Sequence, residues 1–172
     1  MSEPAVRRDT ARSLSLLIRI EQWRGALPLE AVEEVVRAVA ITPLSGVRGP
    51  LLGYVDVRGE ACPVVDARRV LHLPRRALRP SDRMVILGVG AERHIIAVDE
   101  ASRVGAVQAV DDIPPDAVAP ARSGAPGGLR AARIDEPGGD IVALVDPVMV
   151  FGRFASGRSA ATAAKAGFGP GP

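Results

Sequence analysis

Cysteine and histidine are the residues of this sequence that could carry nucleophilic or metal chemistry, and there are few of them. Cys62 is the single cysteine among 172 residues, and the nearest histidine along the chain is His72. A nucleophilic cysteine needs a base, usually a histidine that a third group orients. Cys62 lies in an apolar segment, which predicts a buried and inert thiol. His94 lies on a predicted strand, where we expect a surface histidine or one whose hydrogen bonds are satisfied.

Other patterns typical of enzymes and metalloproteins are missing from the sequence. One cysteine and two histidines cannot build the usual closed zinc site without carboxylates, and no ligand spacing appears. The carboxylates of Glu33 and Glu34 are adjacent, as are those of Asp111 and Asp112, so in a strand each pair would point to opposite faces. The segment GVGAER lacks the third glycine of a phosphate-binding loop and precedes a strand. We therefore expect no catalytic residue, no metal and no cofactor.

The composition predicts an all-β protein with an aliphatic core. Hydrophobic residues make up 47% of the chain but aromatic residues only 3%, and 18 glycines and 15 prolines are spread along it. Frequent turn residues between short apolar segments are typical of all-β folds. A single cysteine excludes an internal disulfide and fits a reducing compartment. The start of the chain is polar, unlike a signal peptide, and no apolar run approaches the roughly 18 residues that span a bilayer. We expect a cytoplasmic protein with no direct membrane insertion.

Alternating apolar residues predict strands over most of the chain. Residues 31–39 fit a helical face as well as a strand, and their β-branched content favours the strand. Asp146 is predicted to cap a last helix that starts with proline. The expected organisation is a disordered lead (1–12), one domain (13–152) containing a loop at 111–128, and a disordered, low-complexity tail (153–172). The clearest strands are predicted at 14–20, 83–89, 93–98 and 103–110, with a hairpin over 129–145.

Residues 51–71 have the most distinctive pattern, which predicts a strand, a tight turn at Arg58 and Gly59, a second strand and a short helix capped by Asp66. An arginine at such a turn can bind a carboxylate through two parallel hydrogen bonds. Glu34, in the middle of VEEVV, is a plausible acceptor. The alternative is a solvated turn arginine without a structural partner.

Three segments, in this order, resemble the CheW family of bacterial adaptor proteins, which couple chemoreceptors to the histidine kinase CheA. They are residues 27–35, 53–71 and 97–104, and the middle one, GYVDVRGEACPVVDARRVL, is the most specific. The resemblance implies two intertwined five-stranded SH3-like β-barrels with short helices. It also implies a non-enzymatic scaffold whose partners are the cytoplasmic tips of methyl-accepting chemoreceptors and the regulatory domain of a CheA-type kinase, recruited to arrays at the inner face of the membrane.

The resemblance also assigns residues to a receptor-binding groove, although the sequence departs from the family pattern nearby. Asp56 replaces the family's asparagine beside Arg58, Ser45 replaces a proline, Ile95 or Ile96 replaces a glycine, and His72 stands where a glycine would end the helix. The groove residues implied by the resemblance are Val32, Glu34, Val35, Gly53, Val57, Arg58, Asp99 and Val104.

A nucleic-acid-binding or other protein-binding β-barrel outside chemotaxis is the alternative function. The surplus of arginine allows nucleic-acid binding, but the formal net charge is only +2. Single-strand binders stack bases on aromatic side chains, and this chain has one Trp, one Tyr and three Phe. We therefore expect a protein partner and no nucleic acid.

Overall fold

The computed structural model describes residues 12–46, 49–119 and 127–154. Most of the predicted lead and tail, and the middle of the 111–128 loop, lie outside these ranges. Within them, no helix is both long and apolar enough to cross a membrane. The strands are β1 (Ser13–Ile20), β2 (Trp23–Pro28), β3 (Val32–Arg37), β4 (Thr42–Pro43), β5 (Leu51–Val57), β6 (Glu60–Asp66), β7 (Arg83–Val89), β8 (Glu92–Val98), β9 (Glu100–Ala109), β10 (Leu129–Ile134) and β11 (Ile141–Val145). The helices are α1 (Ala67–Val70), α2 (Pro147–Phe151) and the 3-10 turns Leu29–Ala31, Pro115–Ala117 and Gly152–Phe154.

Five strands close into a barrel in the order β1-β2-β11-β10-β9. All pairings are antiparallel except the short parallel contact between β11 and β2. Its interior is filled by small and β-branched residues, as expected for a chain with so few aromatic residues. These are Ala26, Val107, Ala132, Ile134 and Val142. The structure therefore confirms the all-β fold class and one five-stranded barrel.

The second lobe is a six-stranded sheet in the order β3-β7-β8-β6-β5-β4. Three strands separate β3 from β5 in this order, yet Val36 of β3 packs in the same apolar cluster as Val55 and Val57 of β5. The sheet must therefore curl on itself. It is barrel-like, as the family resemblance implies, but it has six strands because the segment after β3 adds the two-residue β4, which the sequence pattern does not reveal.

The two lobes are intertwined, since the chain starts in the barrel, builds the curled sheet and then returns to the barrel. The return takes a single residue, Asp99, which lies between β8 and β9. One apolar cluster joins Leu16, Ile18 and Leu27 of the barrel to residues of the sheet such as Ile96. Burial of this shared cluster is a main source of stability, since each large aliphatic side chain contributes about 1.5–3 kcal/mol.

The segment around residue 58 folds as the sequence predicts. Val57 and Glu60 pair across the turn, and Arg58 and Gly59 have φ values of 55° and 85°, as a type I′ turn requires. The carboxylate of Asp66 accepts hydrogen bonds from the first backbone N–H groups of α1. After α1, His72 adopts the left-handed conformation, with φ of 56°, in the place where a glycine is usual.

His94 contradicts the prediction of a surface or satisfied histidine. Its side chain is fully buried, and neither ring nitrogen has a hydrogen-bond partner. The reason is that β8 is covered on both faces: Ile96 belongs to the cluster shared with the barrel, and Ile95 to the interior of the curled sheet. His94 lies on the same face of β8 as Ile96, so its imidazole points toward the side that the barrel covers.

Candidate functional site

Glu34 and Arg58 meet at one end of the curled sheet. Nη2 of Arg58 lies 3.2 Å from Oε2 of Glu34. The pair makes one hydrogen bond and not the two parallel ones that the arginine could form. The side chain of Arg58 remains 80% exposed and that of Glu34 44% exposed, so both charged groups face the solvent and can also reach a partner.

A second ionic contact lies next to this pair. Nε of Arg93 lies 2.7 Å from Glu33, and its Nη1 lies 2.7 Å from Glu60. Arg93 on β8 therefore links β3 to the start of β6, beside the Arg58 turn. The carboxylate of Asp56 accepts the backbone N–H of Gly59 at 2.9 Å. The negative charge that replaces the family's asparagine is thus used inside the turn.

The apolar residues assigned to the groove are neighbours of this ion pair along the chain, with Val32 and Val35 on the same strand as Glu34 and Val57 next to Arg58. Val32 and Val35 are half-buried against the cluster shared by the two lobes, and Val57 is half-buried against the interior of the curled sheet. Half-buried valines beside exposed charges are typical of a recognition surface, in which apolar contact and charge selection act together.

Gly53 has a structural role at the edge of this region. Its φ is +152°, and a Cβ atom at this position would lie 2.1 Å from the carbonyl oxygen of Thr42. The residue is buried and pairs with Pro43 and Val64. Glycine thus allows β4 to approach β5 closely, and position 53 shapes the sheet without exposing a side chain.

Asp99 and Val104 lie in surroundings that differ from those of the Glu34–Arg58 pair. Val104 is 48% exposed and lies opposite Leu16 on the barrel. Asp99 accepts hydrogen bonds from Nη2 of Arg68 at 2.7 and 2.8 Å and from the backbone N–H of Glu21 at 2.7 Å. Its carboxylate is engaged at the junction of the two lobes.

Around Asp99 lies an ionic cluster that the sequence did not reveal. We call it the junction cluster, and it consists of Glu21, Arg68, Arg76, Asp82 and Asp99. Arg76 binds Asp82 through two parallel hydrogen bonds of 2.8 and 2.7 Å and also contacts Asp99. Arg68, whose side chain is 7% exposed, also binds Glu21. The signal in the sequence was the density of arginines over residues 68–83, which does not say which of them are paired.

The pKa values of the acids in the junction cluster reflect this pairing. Burial raises the pKa of Asp99, but hydrogen bonds from the Glu21 N–H and from Arg68 outweigh it and hold the pKa below the usual value. For Asp82, burial likewise acts upward, and hydrogen bonds from Arg76 and from the Arg79 N–H bring the pKa below the usual value. Both carboxylates are therefore ionised at neutral pH.

The thiol of Cys62 is buried, as the sequence predicts. Burial, assisted by the charge of Glu60, raises the pKa of Cys62 to about 11. A thiol of this kind stays protonated at neutral pH and is a poor nucleophile. Among the described residues, no group of three or more His, Cys, Asp or Glu side chains could hold a metal ion.

The aromatic side chains give little support to a base-stacking surface. Trp23, Tyr54 and Phe151 are all buried, and the indole N–H of Trp23 donates to the carbonyl of Val118. Single-strand binders instead expose such rings to the bases.

Comparison with known proteins identifies relatives of this chain. The family model described as the CheW-like domain matches residues 15–154. Protein FrzA of Myxococcus xanthus is 29% identical over 97 residues, which cover 56% of this chain and 61% of FrzA. The crystal structure of the scaffolding protein TtCheW from Thermoanaerobacter tengcongensis has a TM-score of 0.64 and 18% identity, and the match covers 79% of this chain and 90% of that one.

Proposed function

The chain belongs to the CheW-like domain family, and from this premise we propose that it is a non-enzymatic adaptor that couples chemoreceptors to a CheA-type histidine kinase. The proposed partners are the cytoplasmic tips of the receptors and the regulatory domain of the kinase. The proposed place of action is a receptor array at the inner face of the membrane. An adaptor needs a rigid shape and selective surfaces, and it needs no nucleophile, metal or cofactor.

The observation that carries this proposal is the exposed Glu34–Arg58 ion pair beside half-buried valines. Arg58 is held on a tight turn, and Glu34 on a strand of the curled sheet, so their relative positions are fixed by the fold. Preorganised charges select a partner at little entropic cost. In our proposal Val32, Val35 and Val57 supply the apolar contact, and Arg58 and Glu34 supply the selection.

Asp99, Gly53 and Val104 receive different parts in this proposal. Asp99 and Gly53 act through the shape of the protein, because their contacts are internal. Val104 is exposed on the barrel and could contribute a direct contact from the second lobe. Together with the sheet residues they define the receptor-binding region that we propose.

Reversal of the charge at position 58 tests the receptor-binding part. Arg58→Glu is expected to weaken binding to a receptor signalling tip at least about tenfold, since an attractive charge becomes repulsive toward both Glu34 and the partner's acids. The double variant Glu34→Arg/Arg58→Glu restores the internal pair with reversed polarity. If the double variant binds the receptor as the natural protein does, only the presence of the pair matters and direct recognition by Arg58 is wrong. A thermal melt of each variant checks that the fold is retained.

A calorimetric titration against the regulatory domains of the host's CheA-type kinases tests the kinase part. Saturable binding to one of them at moderate salt is expected, with micromolar affinity typical of contacts that act in large arrays. Absence of binding to every such domain would remove the kinase from the proposal while leaving the fold and family unchanged.

A further inference from the structure

The described arginines differ in whether a carboxylate contacts them. Most form an ion pair with an aspartate or glutamate, as Arg19, Arg24 and Arg103 do on the barrel. Among the arginines whose side chains the structure describes, those without such a pair are Arg37, Arg75, Arg79, Arg83 and Arg133. Four of these five belong to the end of β3, the start of β7 and the loop that leads into β7. We call Arg37, Arg75, Arg79 and Arg83 the basic patch.

Backbone contacts hold three members of the basic patch, Arg37, Arg79 and Arg83, close together, and Arg75 precedes them in the same loop. Arg37 and Arg83 occupy directly paired positions of β3 and β7, where Cβ atoms lie about 5 Å apart. The N–H of Ala38 donates to the carbonyl of Asp82 at 3.0 Å, and the N–H of Asp82 donates to the carbonyl of Arg79 at 3.0 Å. Like charges directly opposite each other destabilise a sheet. The fold therefore keeps an unfavourable pair at this edge.

The nearest acid along the chain does not neutralise this charge. Asp82 is 3% exposed, and its carboxylate is used by Arg76 and by the backbone N–H of Arg79. Among the residues that the structure describes, the guanidinium of Arg83 donates to the carbonyls of Ser81 and Asp82. Since Arg37, Arg75 and Arg79 are exposed, their hydrogen-bond donors are available to a partner.

The two ends of β3 have opposite character. Glu33 and Glu34 lie at its start, beside Glu60, whereas Arg37 ends it. Glu34 and Arg37 are an odd number of residues apart, so their side chains point to opposite faces of the sheet. Val39, which is 45% exposed, lies two residues after Arg37. The basic patch is thus separate from the Glu34–Arg58 pair, and it lies beside an exposed apolar residue.

We propose that the basic patch binds an acidic segment of a partner protein. Guanidinium groups bind carboxylates with two parallel hydrogen bonds, and Val39 adds an apolar contact beside them. The side chains of Arg37, Arg75 and Arg79 are exposed, so an extended segment can approach them from the solvent. A protein segment fits better than nucleic acid, because most other described arginines are neutralised by acids and leave no continuous positive track for a phosphate backbone. The inference does not depend on the receptor or kinase contacts proposed above.

Binding of a short labelled peptide rich in glutamate, with interspersed valine, tests this inference by fluorescence anisotropy at low salt. The full chain is compared with Arg37→Glu, Arg79→Glu and the control Arg133→Glu, which makes the same charge change at the remaining unpaired arginine. Each patch variant is expected to weaken binding at least about fivefold, because an attractive contact becomes repulsive, and the control to change it less than about twofold. Arg37→Glu should also raise the thermal midpoint, since it creates an attractive pair with Arg83.

Two further probes decide between kinds of ligand, namely a single-stranded DNA oligonucleotide and phosphatidylglycerol vesicles. Selective loss of peptide binding in the patch variants, with weaker binding of both other probes, supports the proposal. Three results overturn the proposal. One is an equal loss of peptide affinity in both patch variants and in the control. Another is that DNA or vesicles bind more tightly than the peptide and the patch variants abolish that binding, and the third is that the peptide shows no saturable binding. The first result would mean that peptide binding depends only on the net charge of the protein. The second would mean that the basic patch binds phosphate groups and not carboxylates.

Discussion

Arg68 holds both carboxylate oxygens of Asp99, at 2.7 and 2.8 Å from the same Nη2 atom. Arg68 lies on α1 of the curled sheet, and Asp99 is the residue at which the chain returns to the barrel. Arg68 also binds Glu21 in the turn between the first two barrel strands. One guanidinium therefore connects the sheet, the return of the chain and the barrel, and it fixes how the two lobes meet.

Removal of the charge of Asp99 is expected to loosen this junction. Asp99→Asn should lower the free energy of unfolding by about 3 kcal/mol, because it leaves the buried Arg68 without its main partner. Urea unfolding measures this, with Asp140→Asn as the control. Asp140 pairs with Arg24 in an exposed position, so the control should lose less than about 1 kcal/mol. Equal losses in the two variants would mean that the junction cluster has no special role.

The burial of His94 predicts a pH dependence of stability. Burial lowers the pKa of His94 from its ordinary value of 6.5, against a weaker opposing effect of Glu92, 3.8 Å away. The unfolded chain therefore binds this proton at a higher pH than the folded chain does. Stability is fully present above about pH 6.5 and decreases as the pH falls below that value.

Urea unfolding of two variants between pH 7 and pH 5 tests whether His94 causes this loss of stability. His94→Leu is expected to remove the decrease in that range, and His72→Asn, which removes an exposed histidine in a left-handed position, is expected to retain it. If the natural protein and His94→Leu have the same pH profile, the buried imidazole is not the group responsible.

We expect a small substitution at Gly53 to cause a large loss of stability. Gly53→Ala should destabilise the protein by roughly 2–4 kcal/mol, because the new methyl group would clash with the backbone of Thr42 and the φ angle is unfavourable. Gly90→Ala is the matched control, since it also has positive φ but no atoms within 4 Å of the added Cβ. The control should cost about 1 kcal/mol. Thermal unfolding of both variants separates the effect of the clash with Thr42 from that of the positive φ angle. Equal losses of stability would show that β4 shifts freely to accommodate the methyl group.

A substitution at Arg58 can distinguish an effect on stability from an effect on receptor binding. Arg58→Asn is expected to keep or slightly raise the free energy of unfolding, by up to about 1 kcal/mol, because Asn-Gly suits a type I′ turn better than Arg-Gly does. The same variant should lose receptor binding under our proposal. Denaturation and binding measured on one preparation provide the test, and a clear loss of stability would indicate that Arg58 mainly holds the structure.

The local elements were predictable because short-range physics determines them. The strand 83–89 matches β7 at both ends, since a short continuous apolar run bounded by turn residues marks a buried strand and Gly90 ends it. Asp66 and Asp146 cap the following helices as expected, because a side-chain oxygen just before a helix satisfies its first N–H groups. The strand β4 was missed because two residues give no periodicity.

The sequence by itself determined the fold class, the turn at Arg58 and the pairing candidate Glu34, since these follow from alternation, turn chemistry and one distinctive segment. Only the tertiary structure decided which arginines are paired and which are available. Arg68, Arg76 and Arg79 lie close together in sequence, yet the first two are held at Asp99 and Asp82 and the third is exposed. The physical reason is that a charge is paired or left exposed according to which groups the folded chain brings within a few ångströms of it. The partners Glu21 and Asp99 lie in the β1–β2 turn and between β8 and β9, and these distant segments meet only when the two lobes intertwine.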